Sequence, residues 1–217
     1  METVGSGYVF FECRNSLCGL RFPLDATRFE GRYCPRCGTP LERNEAGVPP
    51  KKPPSSPKPA FQLIGALDNI RSTYNVGAIF RAADGTGVAE LLLGGITPSP
   101  VEQPAISKTA LGAEKSVPWH SCPNLPATLL ALKAEGAMIL ALEFVPGARA
   151  LQDFQFDHPL PEQVILVSGS EPAGVDPAIL RLADQVLYIP MSGQKSSLNV
   201  SVAFGIAPYH LSGLTLK

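Results

Sequence analysis

Tyr188-Ile189-Pro190-Met191-Ser192-Gly193-Gln194-Lys195-Ser196-Ser197-Leu198-Asn199-Val200-Ser201-Val202-Ala203 is the stretch on which the fold turns. It reads as a buried strand that stops at Pro190, a polar loop, and a helix that opens at Ser197-Leu198-Asn199. A strand end facing a helix N-terminus is where α/β proteins hold small ligands, because free backbone N–H groups and partial positive charge gather there. Working outward, short apolar runs alternate with helical stretches. Phe61–Leu67, Ala89–Leu93, Met138–Phe144, Val164–Ser168 and Val186–Ile189 predict strands buried on both faces. Helices are expected over 75–85, 125–135, 177–183 and 198–211. Asp176-Pro177 supplies one helix start, an N-cap followed by a proline in the first turn. The alternation predicts an α/β domain over residues 61–217, built on a parallel sheet flanked by helices. Pro208 falls inside the last helix, where it is expected to kink or end it.

The 217 residues are 45% hydrophobic and 17% charged, which excludes a disordered polymer and leaves room for one large core and a small appendage. A net charge of −1 is no signature of nucleic-acid binding. The distribution is uneven: residues 1–60 hold nine Lys/Arg and six Asp/Glu, residues 61–217 nine and thirteen. Glu2, Glu12, Arg14, Arg21 and Asp25 interrupt the region where a secretory signal would lie. The apolar run Ala137–Leu142 stops at Glu143, far short of a membrane span. A cytoplasmic protein with no membrane association is expected.

Residues 1–43 stand apart. Cys13-Arg14-Asn15-Ser16-Leu17-Cys18 and Cys34-Pro35-Arg36-Cys37-Gly38 are two cysteine pairs. In a reducing compartment metal ligation and buried thiols are commoner than disulfides. Four converging thiolates suit tetrahedral Zn²⁺ in a closed, structural site, so Cys13, Cys18, Cys34 and Cys37 are the expected ligands of a Cys₄ zinc ribbon; two disulfides, or a site that has lost its metal, are the alternatives. So small a unit cannot hold itself by burial alone, and metal binding would supply much of its folding energy. Arg14, Arg21, Arg28, Arg32 and Arg36 around the pairs point to RNA phosphates, with a solvated surface or a protein-docking device as alternatives. Residues 44–60 carry six prolines and read as an extended, solvated linker. Cys122, beside Pro123, reads as a buried thiol.

Three segments of the main domain, taken in order, resemble a known family. Asn75-Val76-Gly77 opens a helix and Arg81 follows; Val164–Ser168 runs into Gly169-Ser170-Glu171-Pro172-Ala173-Gly174; and Ile189-Pro190-Met191 leads through a loop to Ser197-Leu198-Asn199-Val200. Over residues 62 to 210 these segments resemble the motifs of the SpoU-type, or TrmH-like, RNA 2′-O-ribose methyltransferases of the SPOUT superfamily. The resemblance implies an S-adenosylmethionine-dependent enzyme acting on a ribose 2′-hydroxyl of tRNA or rRNA. It implies a C-terminal deep trefoil knot that holds the cofactor, and a homodimer to which the last helix contributes. It places Leu142, Gly169, Ile189, Met191, Ser197 and Leu198 around the cofactor, and makes Arg81, Asn75, Glu171, Ser197 and Asn199 the catalytic set.

The residues themselves leave alternatives open. Methyl transfer is an in-line displacement that gains most from alignment, with a group beside the hydroxyl to help remove its proton. Arg81 is a lone cation in an apolar helix: the resemblance puts it on RNA phosphate, and an ion pair with Asp84 or Glu171 is the alternative. A guanidinium is a poor base, so phosphate binding and charge stabilisation are the favoured role. Asn75 and Ser197 read equally as helix caps, Asn199 as a binder of local backbone, and Glu171 as a surface carboxylate, where the resemblance makes it a partner orienting Asn75 or Arg81. Ile189, Met191 and Leu198 read equally as core. Gly169 lets the backbone approach a ligand. Lys195, and Lys108 and Lys115 on a segment expected to be a mobile loop, are further candidates for substrate phosphate. The alternative function is a non-catalytic RNA- or protein-binding module on the same scaffold.

Overall fold

The computed structural model describes residues 7–48, 51, 53–54, 60–157 and 159–214. Residues 49, 50, 52 and 55–59 of the expected linker lie outside these. The chain divides into two compact units, residues 1–56 and 57–217.

In the first unit β1 (Tyr8–Cys13) pairs antiparallel with β2 (Arg21–Asp25) on one side and with β3 (Leu41–Ala46) on the other. Val9, Phe11 and Cys13 alternate onto the buried face of β1, as a half-buried strand requires. Gly31 is left-handed at φ 63°, and a Cβ there would meet the Phe11 ring at 2.7 Å, so conformation and packing both demand glycine. β3 runs beyond residue 43, into the segment read as linker.

In the second unit the elements follow as β4 (Gln62–Asp68), α1 (Thr73–Thr86), β5 (Glu90–Gly94), α2 (Ser107–Ala110), α3 (Ala113–Ser116), β6 (Trp119–Cys122), α4 (Leu125–Ala134), β7 (Met138–Leu142), β8 (Arg149–Ala150), β9 (Gln163–Gly169), α5 (Pro177–Leu182), β10 (Gln185–Tyr188) and α6 (Val200–Gly213). All seven strands are parallel, in the order β6-β5-β4-β9-β7-β10-β8. The alternation of side chains along each strand divides the core in two. Leu63, Leu67, Leu91, Leu93, Val164 and Leu166 face α1 and α6, whose Ile79, Phe80, Phe204 and Leu211 complete one layer. The intervening Ile64, Ala66, Leu92, Ile139, Ile165 and Val167 face α4 and α5, with Leu125, Leu129 and Ile179. Burial on both faces is why these strands read as unbroken apolar runs. Gly65 makes the layer fit: a Cβ there would stand 2.8 Å from the Phe204 ring.

Two expectations need correction, and two features lie outside what was expected. The last helix starts at Val200 and runs through Pro208 to Gly213, so the proline does not end it. A proline removes one donor, and here its side chain is buried with Phe204, Ala207 and Leu211, so packing offsets the missing bond. The segment carrying Lys108 and Lys115 is helical, not a loop: Pro104–Ile106 forms a 3₁₀ turn ahead of α2 and α3. It is fastened to α1, where the Thr109 hydroxyl donates to the Tyr74 carbonyl (2.9 Å) and the Ser116 hydroxyl to Asp84 Oδ1 (2.9 Å). Any side chain at Gly77 would clash with the Ile106 carbonyl, so the glycine of Asn75-Val76-Gly77 admits this packing. The edge strands β6 and β8 were not expected. Finally, β8 follows β7 in sequence, yet β10 lies between them in the sheet, so residues 143–148 bridge across β10. No helix among the described residues is long and apolar enough to cross a membrane.

Candidate functional site

The carboxyl ends of β7, β9 and β10 open onto a cleft of about 500 Å³, within the size range of small-molecule sites at parallel-sheet edges. The expected cofactor residues Leu142, Gly169, Ile189, Met191, Ser197 and Leu198 all line it, and so does Glu171. They converge because each closes or follows a strand, or precedes α6, at the same edge of the sheet.

Asn75 and Asn199 join Glu171 at this edge. Asn75 Nδ2 donates to Glu171 Oε1 (2.5 Å), and Asn199 Nδ2 donates to Asn75 Oδ1 (3.1 Å). One hydrogen-bonded chain therefore ties together three segments distant in sequence. The caps explain which groups are free to do this. Ser72, not Asn75, caps α1, its hydroxyl accepting from the Asn75 N–H (3.3 Å). Asn199, not Ser197, caps α6, with Oδ1 accepting from the Ser201 N–H (2.9 Å) while its amide nitrogen reaches Asn75.

Arg81 lies on α1, is exposed, is not among the residues lining the cleft, and forms no ion pair among the described residues. The alternative of an ion pair with Asp84 or Glu171 is not formed: Glu171 accepts from Asn75 and Asp84 from Ser116. Lys195, Lys108 and Lys115 are likewise exposed. Gly169 also meets a packing need: a Cβ there would strike the backbone of Gly174 and Val175, so the glycine lets the chain fold back on itself beside the cleft.

Three polar residues were passed over in the sequence. Ser168 is 2% exposed, lines the cleft, and its hydroxyl has no hydrogen-bond partner among the described residues. Glu143 also lines the cleft, and its Oε2 accepts from the Val175 N–H (3.1 Å) and its Oε1 from the Phe144 N–H (2.9 Å). Asp68, at the end of β4, accepts from the Asp176 N–H (2.7 Å) and Asn69 Nδ2 (2.7 Å), and burial raises its carboxyl above the usual range. The available signal was positional: a polar residue closing an apolar parallel strand at its carboxyl end. The cleft lining includes Glu143 and Glu171 and no Lys, Arg or His, so its field favours a cationic ligand.

In the first unit Cys13, Cys18, Cys34 and Cys37 bring their sulfurs within 4.8 Å of one another, and none is bonded to another. The Cys13–Cys37 and Cys18–Cys34 sulfur separations are 3.4 and 3.8 Å. A tetrahedral ion with roughly 2.3 Å Zn–S bonds needs sulfurs about 3.8 Å apart, so this donor set can hold one. The Thr39 hydroxyl and N–H pull the Cys37 thiol down to about 6, the thiolate form a metal requires, whereas burial pushes Cys13 up to about 12. Of the five arginines, Arg21 pairs with Glu12 (3.1 Å), Arg28 with Asp25 (3.6 Å) and Arg32 with Glu30. Arg14 and Arg36 have no carboxylate partner among the described residues. Cys122 is buried, and desolvation raises its thiol.

Seven parallel strands, helices on both faces and an acidic cleft at the carboxyl edge define a ligand-binding α/β domain. The chain matches the model of the SpoU rRNA Methylase family over residues 62–209 and belongs to that family. It is 35% identical over 147 residues to the 23S rRNA (guanosine(2553)-2'-O)-methyltransferase RlmP of Bacillus subtilis, a match that covers 68% of this chain and 56% of RlmP. It is 34% identical over 160 residues to the 23S rRNA (guanosine-2'-O-)-methyltransferase RlmB of Burkholderia sp, covering 71% of this chain and 60% of that protein. Among solved structures it is similar to the A. aeolicus TrmH/SpoU tRNA modifying enzyme (TM-score 0.61, 31% identity, 72% of this chain and 77% of that one). It is also similar to an AdoMet-bound rRNA methyltransferase from Sinorhizobium meliloti (TM-score 0.63, 26% identity, 69% and 55%). The chain spans little more than half the length of the curated relatives it matches.

Proposed function

We propose that this protein is an S-adenosylmethionine-dependent RNA methyltransferase acting on a ribose 2′-hydroxyl of tRNA or rRNA. The observation that carries the reading is the convergence of six expected cofactor residues on one cleft, with the Asn199–Asn75–Glu171 chain at the same edge. S-adenosylmethionine, when bound, supplies a methyl group on a cationic sulfonium. Glu143 and Glu171 favour that charge. Leu142, Ile189, Met191 and Leu198 provide apolar walls, Gly169 shapes the floor, and the unpartnered Ser168 hydroxyl offers a hydrogen bond. Glu171 and Asn199 hold the Asn75 amide from both ends, fixing a polar rim for the ribose, and Ser197 is exposed on the lining beside it. Arg81, exposed and without an ion pair among the described residues, binds RNA phosphate and stabilises negative charge as the 2′-hydroxyl loses its proton.

The remaining elements extend this reading. The C-terminal segment forms a deep trefoil knot, a topology supported by β10 lying between β7 and β8. Residues 1–43 form a zinc ribbon in which Cys13, Cys18, Cys34 and Cys37 hold a structural Zn²⁺, supported by the sulfur separations. The protein works in the cytoplasm as a homodimer; Val202, Ile206 and Tyr209, exposed along α6, offer an apolar strip to a second copy. The test is methyl transfer from radiolabelled S-adenosylmethionine to RNA from cells lacking the protein, with wild type and Arg81→Ala in parallel. Label on a ribose 2′-oxygen of one RNA, lost in the variant, is the expected result. No label and no cofactor binding leaves a non-catalytic RNA- or protein-binding module.

A further inference from the structure

We propose that the two cysteine loops of the first unit form a contact surface for single-stranded RNA, with Tyr33 as a stacking platform and Arg14 and Arg36 as phosphate contacts. The choice of RNA as partner rests on the methyltransferase reading above. Three observations converge. The first is placement: Tyr33 pairs with Pro40 as an isolated antiparallel bridge, and the Pro40 carbonyl accepts the Arg14 N–H at 3.3 Å, so the three residues lie side by side. Arg36 sits between Cys34 and Cys37, whose sulfurs lie within 4.8 Å of the Cys13 sulfur next to Arg14.

The second is charge. Arg21, Arg28 and Arg32 are each matched by a carboxylate and offer little to a phosphate. Arg14 and Arg36 are exposed and unmatched among the described residues, and neither 13–18 nor 34–37 contains an Asp or Glu. A filled Cys₄ centre carries two net negative charges, so these arginines also offset the metal site, which makes their phosphate contribution modest and leaves Tyr33 the larger share. The third is the ring itself. Tyr33 is 66% exposed and stacks on no other ring among the described residues. A bare aromatic beside two free guanidiniums suits an unstacked base with its flanking phosphates. In an RNA duplex the base faces are occupied, so the surface selects loops, bulges or ends.

The test is fluorescence anisotropy of the full-length protein with labelled oligouridine and with a blunt RNA duplex of equal length. Zinc content and S-adenosylmethionine binding are measured on every variant to verify folding. Tyr33→Ala is expected to weaken oligouridine binding about tenfold, Tyr33→Phe to retain it, and Arg14→Ala/Arg36→Ala to lower the salt slope by about 1.4 for two lost phosphate contacts. Arg21→Ala/Arg32→Ala should stay within about twofold, as paired surface charges do. Equal binding by wild type and Tyr33→Ala, or a preference for the duplex, overturns the proposal. So does S-adenosylmethionine binding with no oligouridine binding, which leaves the methyltransferase reading standing and points to a docked protein on this surface. Oligouridine binding that depends on Tyr33, without any S-adenosylmethionine binding, supports the surface and sinks the methyltransferase reading instead.

Discussion

Among the described residues, the first unit buries the apolar side chains Val9, Phe11, Cys13 and Cys34, and half of these are thiols; the second buries a complete apolar layer on each face of a seven-stranded sheet. A three-stranded sheet with so little interior cannot offset the entropy of ordering its chain by burial, so its stability falls to whatever joins the four sulfurs. The larger unit has no such need, and can spend its polar residues at the open edge of the sheet. The contrast is between a unit whose four clustered thiols outweigh its small apolar interior and one set by hydrophobic periodicity alone.

On the zinc-ribbon proposal, removing the metal should have the largest effect, because structural zinc sites contribute about 10–16 kcal/mol apparent folding energy at neutral pH. After treatment with a chelator, amide hydrogen exchange should show protection lost in β1, β2 and β3 and kept in β4, β9 and β7; protection retained in β1 would contradict it. Next in size, Phe204→Ala should cost about 3–5 kcal/mol in denaturant unfolding of the second unit, without lowering zinc content. Glu171→Gln sharpens the contrast at the site. Losing the charge-assisted bond to Asn75 should slow methyl transfer roughly tenfold or more, with the melting temperature unchanged. The smallest effect concerns Asp68. Its carboxyl is raised by burial, so its contribution to stability is fullest below the ordinary value of 3.8 and is lost as pH rises through the raised value. The stability of Asp68→Asn relative to wild type should therefore improve across that rise, and a difference that stays flat with pH would show the carboxyl to be unperturbed.

The sequence made the two-faced strands β4, β5, β7, β9 and β10 legible because double burial leaves an uninterrupted apolar run. Trp119-His120-Ser121-Cys122 escaped notice because β6 is an edge strand with two exposed polar residues at its centre, and β8 is only two residues long. The helices over 107–116 are single turns, too short to show a period. At the site, the residue types of Asn75, Glu171 and Asn199 were readable, but their hydrogen-bonded order was not. Which asparagine caps a helix depends on a backbone start, and Ser72 and Asn199 each won that position by geometry. Ser168 and Glu143 hid at the ends of apolar runs. The crossing of residues 143–148 over β10 has no periodicity to betray it.

The most direct measurement of the central claim is isothermal titration of S-adenosylmethionine into the full-length protein and into Leu198→Arg, which puts a cation into the acidic, apolar cleft. The account predicts saturable one-site binding by wild type and its loss in the variant at unchanged melting temperature. Wild-type protein that binds no cofactor, or a Leu198→Arg protein that binds it equally well, would contradict the placement of the cofactor in this cleft.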